Sequence, residues 1–130
     1  MTLISSAKSP GCIFCELPRQ RAPRENLILA ADRSTLVMLN RFPYNSGHLM
    51  VAPRRHVADL ERLRRAERAD IGEMLAHAVS VVRRVLAPQG LNVGLNLGVA
   101  AGAGIADHLH WHVVPRWTGD TNFMPALASV

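Results

Sequence analysis

In His108-Leu109-His110-Trp111-His112-Val113-Val114, histidines alternate with apolar residues one for one. A repeat of two belongs to an extended strand, because successive side chains on a strand point to opposite faces, whereas a helix repeats every 3.6 residues. The pattern therefore predicts a strand over 108–114, closed by Pro115. On it the three imidazoles share one face, each about 6.6–6.8 Å from the next. Leu109, Trp111 and Val113 face the core. Half of the six histidines of the chain lie on this strip.

Three kinds of chemistry fit such a face. Buried structural histidines are one, but three adjacent imidazoles in apolar surroundings are costly without partners. A metal site made of the triplet alone is a second. Ligands about 6.6 Å apart on a straight strand cannot all reach one zinc at roughly 2.1 Å, although one of them can join a site built elsewhere. Covalent or general acid–base work on a phosphate ester is the third. The loop before the strand, Gly98-Val99-Ala100-Ala101-Gly102-Ala103-Gly104, favours it. With no bulky side chain, its backbone N–H groups can approach an anion, Gly102 and Gly104 above all.

Composition narrows the partner. The chain carries a formal net charge of +5, nearly all from arginine. Such a surface attracts anions. At 5% aromatic residues, it has few platforms for stacking bases, which argues for small phosphate compounds over nucleic acid. No apolar run is long enough to span a bilayer, and MTLISSAKSP lacks the pattern of a secretory signal. The expectation is a cytoplasmic protein. Cys12-Ile13-Phe14-Cys15 holds both cysteines, and in that compartment a close pair suggests metal or redox chemistry before a disulfide.

Read in order, residues 1–10 are expected to form a flexible tail and 11–130 a single domain. A tight turn at 11–15 presents the thiols, and 18–25 is loop. Strands are expected at 27–30, 35–39, 48–52, 91–96 and 108–114. A short helical turn falls at 60–64. A long helix runs from about 66 to 87 and ends at Pro88-Gln89-Gly90. Its stripe of Ile71, Leu75, Val79, Val82 and Leu86 marks a core face. His77 is expected to be exposed. Strands, one long helix, then strands imply an α+β fold: a five-stranded, mainly antiparallel sheet with one long and one short helix.

The strip His108–Val114 resembles the His-φ-His-φ-His-φ-φ signature of the HIT (histidine triad) family. Gly47-His48-Leu49-Met50-Val51-Ala52-Pro53-Arg54-Arg55-His56 is similar to that family's Gly-His-φ-φ-φ-φ-Pro-x-x-His segment, and Cys12–Cys15 to the start of many bacterial members. The resemblance spans about residues 11–124. It implies the HIT-like fold and cleavage or transfer at the α-phosphate of a nucleotide. His110 would be the nucleophile of a nucleotidyl-histidine intermediate, its ring oriented by the backbone carbonyl of the first triad histidine and by His48. His112 would contact the phosphate and leaving group. Asn40 matches a ribose position and Asn96 an amide near the α-phosphate, with apolar residues near Leu39 and Phe14 around the base. A structural zinc would be held by Cys12, Cys15, His56 and His108. Members typically form homodimers, here with the stripe of residues 71–86 partly at the interface.

Hydrolytic members carry Gln and Ser or Thr after Ala-Gly in the loop before the triad. This chain has Ala101-Gly102-Ala103-Gly104-Ile105-Ala106 there. With Pro115–Phe123, that loop resembles the phosphorylase-like branch, which acts on dinucleoside polyphosphates such as diadenosine tetraphosphate. Inorganic phosphate would then be the acceptor, with Arg116 attracting it and Trp117 stacking on a base. Hydrolysis of polyphosphates or of nucleoside phosphoramidates, and a zinc-stabilised binding module with little turnover, stand as the alternatives.

Overall fold

The computed structural model describes residues 12–20, 27–40 and 47–120. The expected tail at 1–10, most of the loops at 18–25 and 40–47, and the last ten residues lie outside that set. A short α1 (Ile13–Glu16) runs into a 3-10 turn, Leu17–Gln20. Five strands follow: β1 (Ile28–Ala31), β2 (Thr35–Leu39), β3 (Leu49–Pro53), β4 (Gly90–Leu95) and β5 (Trp111–Arg116). Between β3 and β4 stand a 3-10 turn, Leu60–Arg62, and α2 (Arg65–Leu86). The expected α+β fold is what forms. Every strand pairing is antiparallel, in the order β1-β2-β3-β5-β4.

Parity along the strands sorts side chains onto two faces. Val37, Leu49, Val51 and Val113 meet Ala78 and Val82 of α2 on one face. Leu36, Met38, Met50 and Ala52 meet Phe14 and the two cysteines on the other. With both faces covered, all five β3 residues are buried, so the strand reads as a continuous apolar run instead of an alternating one. Val57, Leu63, Ile71 and Leu109 form a third cluster under the start of α2.

Two expectations change. The thiols sit on and just before a helical turn, not a simple tight turn. β5 also begins later than the pattern suggests and continues through Pro115 to Arg116. Its ladder with β3 ends at Val51↔Trp111, so His108 to His110 leave the sheet and follow their own contacts.

At the α2 N-terminus the Glu67 carboxylate accepts the Arg64 N–H at 2.7 Å. It also receives Arg55 through Nε at 3.0 Å and an Nη at 2.8 Å. Arg55 donates as well to the Arg62 carbonyl at 3.0 Å. This clamp ties the segment after β3, which carries His56, to the helix.

Gly47 enters β3 with φ of +84°, and a Cβ there would collide with Leu86 Cδ1 of α2. Only glycine combines that backbone with that approach. Gly47→Ala is therefore expected to cost about 2–4 kcal/mol, from left-handed strain plus overpacking. A urea titration checks this, and a loss under about 0.5 kcal/mol, the range of an ordinary surface change, contradicts it.

Candidate functional site

The Cys/Phe14 face of the sheet carries the chemistry. Register pairs Met50 and Gly94 with His112 on either side, so His48, two residues before Met50, shares the face with His112. His48 Nε2 lies 2.9 Å from His112 Nδ1. The ring His48 bonds is thus the third triad histidine and not, as expected, the nucleophile candidate. His110 takes its orientation from the chain itself: its Nδ1 lies 2.9 Å from the His108 carbonyl oxygen. A carbonyl only accepts, so Nδ1 carries the proton and the lone pair stays on Nε2. The His110 and His112 rings stand edge to face, centroids 5.0 Å apart, closer than the ideal strand spacing.

His112 Nε2 and Asn96 Nδ2 are buried with no hydrogen-bond partner among the described residues. Asn96 follows β4 in step with Gly94, on the histidine face. A buried amide or imidazole nitrogen left unbonded costs about 1–3 kcal/mol, and a bound acceptor such as a phosphoryl oxygen relieves it.

Burial lowers the affinity of these rings for protons. It brings His48 down to about 4, helped by the charge of a protonated His110. It brings His112 to about 3, helped by His110 and His48. His110 itself is lowered by burial and held back by its bond to the His108 carbonyl. All three are neutral at pH 7, the state in which an imidazole nitrogen can attack. There is a cost in acid. The unfolded chain protonates these histidines near 6.5, while the folded chain holds His48 neutral until about 4 and His112 until about 3. Their contribution to stability is full above pH 6.5 and is lost as pH falls from 6.5 toward 4, at up to about 1.4 kcal/mol per pH unit per group. Asp32 and Glu67, whose carboxyls sit below their ordinary range through hydrogen bonds, titrate below that window. Urea unfolding at pH 7, 6 and 5 is expected to show stability falling across the series; a flat series contradicts neutral burial.

The second cluster joins distant segments. The ligand atoms of Cys12, Cys15, His56 and His108 all lie within 4.8 Å of one another. Cys12 Sγ is 3.3 Å from His108 Nδ1, Cys15 Sγ is 3.3 Å from His56 Nδ1, and the two Nδ1 atoms are 3.1 Å apart. Around a tetrahedral ion with N at about 2.1 Å and S at about 2.3 Å, such edges come to about 3.4–3.8 Å, and these three separations stand within a few tenths of that. The ring backs fit too. His108 Nε2–H donates to the Pro53 carbonyl at 2.8 Å, and His56 Nε2 lies 3.5 Å from the Asp107 carboxylate. Each interaction turns the Nδ1 lone pair inward, as the outer partners of metal-bound histidines do. Burial pushes the Cys12 thiol up to about 11 and the His108 imidazole down to about 4; a dication offsets both effects by taking thiolate and neutral imidazole as ligands.

Asn40 reaches the site's edge. Its N–H donates to the His48 carbonyl at 2.9 Å, and its Nδ2 lies 3.8 Å from Met50 Sδ. Other expected residues do not converge. Gly102 closes a 3-10 turn, its N–H donating to the Val99 carbonyl at 2.9 Å, so that amide is already engaged; Gly104 is exposed in the bend beyond. Trp117 is five residues past His112, about 16 Å along extended chain. Arg116 is tied to both Asp120 carboxylate oxygens and, at 2.8 Å, to Asn92 Oδ1, so the guanidinium expected to attract phosphate is already paired with a carboxylate. Leu39 packs on the α2 side of the sheet, opposite Phe14, because strand parity separates it from Met38. Sequence reasoning also missed Asp107 behind His56, although an acid directly before the triad was a visible signal, and the direct contact of Phe14 with the histidines.

A family model described as the HIT domain matches residues 21–119. The chain belongs to the HIT family. Among HIT proteins, AP-4-A phosphorylase of Mycobacterium tuberculosis H37Rv is 47% identical over 120 residues, 92% of this chain and 61% of the relative. The chain thus spans about three fifths of that relative's length. Adenosine 5'-monophosphoramidase hnt1 of Schizosaccharomyces pombe is 31% identical over 106 residues, 82% of this chain and 74% of that one. Of solved structures, a Zn-bound histidine triad family protein from Mycobacterium smegmatis superposes with a TM-score of 0.74 at 28% identity, covering 92% of this chain and 91% of the other. A HIT member from Bacillus subtilis gives 0.75 at 25%, covering 84% and 75%. Among the described residues, no helix is long and apolar enough to cross a membrane.

Proposed function

We propose that the chain is a nucleotidyl-transferring HIT enzyme, and that it cleaves dinucleoside polyphosphates, diadenosine tetraphosphate first, at an α-phosphate. The observation that carries this reading is the pair of bonds around the triad. His110 Nδ1–H is held by the His108 carbonyl, leaving Nε2 as nucleophile, beside the His112 ring, whose Nε2 has no partner among the described residues. In the first step Nε2 attacks phosphorus, an N–P bond forms, and the bond to the leaving nucleotide breaks. With His48 Nε2–H donating to His112 Nδ1, His112 Nε2 carries a proton and donates to the phosphoryl or leaving oxygen. Asn96 donates to the α-phosphate and Asn40 bonds the ribose. In the second step inorganic phosphate takes the nucleotidyl group and frees His110. The 47% identity to AP-4-A phosphorylase supports phosphate as acceptor.

In this reading Cys12, Cys15, His56 and His108 hold a structural zinc, the metal that takes two sulfurs and two nitrogens in a tetrahedron. The enzyme acts in the cytoplasm, where its thiols stay reduced. It works as a homodimer; β4 is an edge strand with Val93 at 46% and Leu97 at 48% exposure beside it, a surface that second copies can cover.

Incubation with diadenosine tetraphosphate, with and without phosphate, tests the reading. ADP plus ATP formed only with phosphate is the expected result. AMP plus ATP without phosphate makes it a hydrolase. Cleavage of adenosine phosphoramidate alone moves it to the activity named for the fission yeast relative. AMP binding with no turnover leaves a binding module.

A further inference from the structure

The four-donor cluster and the His110 ring are joined twice. His108 turns its Nδ1 to the cluster, 3.3 Å from Cys12 Sγ, while its own carbonyl holds His110 Nδ1 at 2.9 Å. The second link is Phe14, which sits between the two cysteines on α1 and is 2% exposed. Its ring centroid lies 4.9 Å from that of His110 at an interplanar angle of 31°, and 5.1 Å from that of His108. These separations are those of attractive ring pairs. One hydrogen bond fixes one atom of an imidazole and leaves the ring free to swing about it. A flat apolar face against the ring removes that freedom. A helix of four residues has no stability of its own, so the Phe14 face is as fixed as the cysteines on either side of it.

We propose that Phe14 is a positioning residue for His110: its ring sets the plane of the nucleophile, and zinc on Cys12, Cys15, His56 and His108 holds Phe14 in place. The metal centre then acts on the nucleophile through a backbone carbonyl and an aromatic face, without touching substrate. The kinetic consequence rests on His110 being the nucleophile; the ordering of its ring does not.

The test is a long-range 1H–15N spectrum of the histidine rings in the zinc-loaded full chain. The wild type is expected to show one sharp His110 signal set with Nδ1 protonated. Phe14→Leu keeps apolar volume and loses the flat face. It should retain its zinc, broaden or split the His110 signals, and lower kcat about tenfold to a hundredfold with KM within about twofold. Sharp, unchanged His110 signals in Phe14→Leu overturn the proposal, as does a KM rise with kcat untouched, which would make Phe14 a base contact. Should the variant fail to fold, wild type stripped of zinc by a chelator decides. His110 signals that broaden while those of His112 persist, and recover when zinc is restored, support the link; unchanged His110 signals, or equal losses at both rings, overturn it. A failure of the nucleophile reading is seen separately, as turnover surviving in His110→Ala.

Discussion

Replacing His110 by alanine is expected to lower turnover of diadenosine tetraphosphate by about four orders of magnitude or more, the scale on which an enzyme loses rate when its nucleophile is removed. Nucleotide affinity should stay within a few fold. The reason is local. His110 is the triad ring with Nδ1 bonded to a carbonyl, which leaves Nε2 with a lone pair, whereas His112 spends its Nδ1 on His48. A His112→Ala variant removes a donor and not the nucleophile, so its loss should be smaller, about a hundredfold to a thousandfold. Paired steady-state kinetics and AMP titrations check the contrast. Substantial turnover in His110→Ala, or a larger loss in His112→Ala, reverses the assignment.

Removing the proposed zinc is expected to produce the largest change in stability. The cluster ties α1 to residues 41 to 96 positions away in the chain, so its loss frees the N-terminal segment that covers one face of the sheet. It also leaves buried donors facing one another, with the His56 and His108 Nδ1 atoms 3.1 Å apart. Structural zinc sites contribute folding energy outright, and a loss of about 5 kcal/mol is expected on that ground. For a chain of this size that is a drop in Tm of roughly 15–20 °C. Calorimetry of protein carrying about one zinc per chain, before and after a chelator, measures it. Cys15→Ser should reproduce the stripped value without chelator. An unchanged Tm after complete removal would show that the cluster is not a metal site.

How far the sequence leads can be seen residue by residue. The alternation from His108 to Val113 is local information, so a strand with His112 on one face was legible. The departure of His108 to His110 was not, because it depends on where the β3 ladder stops, a fact about a strand 60 residues away. The same holds for His48. Its bond to His112 follows from Met50↔His112 register, set across the whole of α2, and no motif encodes that register. The four sulfur and nitrogen donors are scattered over 97 residues and became legible as a set only through the family resemblance; spacing alone left them as two thiols and two of six histidines. Errors arose where a composition cue stood in for geometry. Gly102 looked available to an anion, but a glycine with φ of +100° closes its own turn. Arg116 looked like a free cation until Asp120, four residues on, paired with it. Leu39 and Phe14 seemed to flank one pocket, yet one residue of strand parity puts them on opposite faces.

The proposed chemistry turns on one covalent bond, between His110 Nε2 and phosphorus. Wild-type protein mixed with diadenosine tetraphosphate in the absence of phosphate, quenched within a turnover and mapped by peptide mass spectrometry, tests it most directly. An adenylyl group on His110, discharged when phosphate is added before the quench, is the predicted result. Product formation with His110 unmodified, or an adenylyl group on another residue, would contradict it.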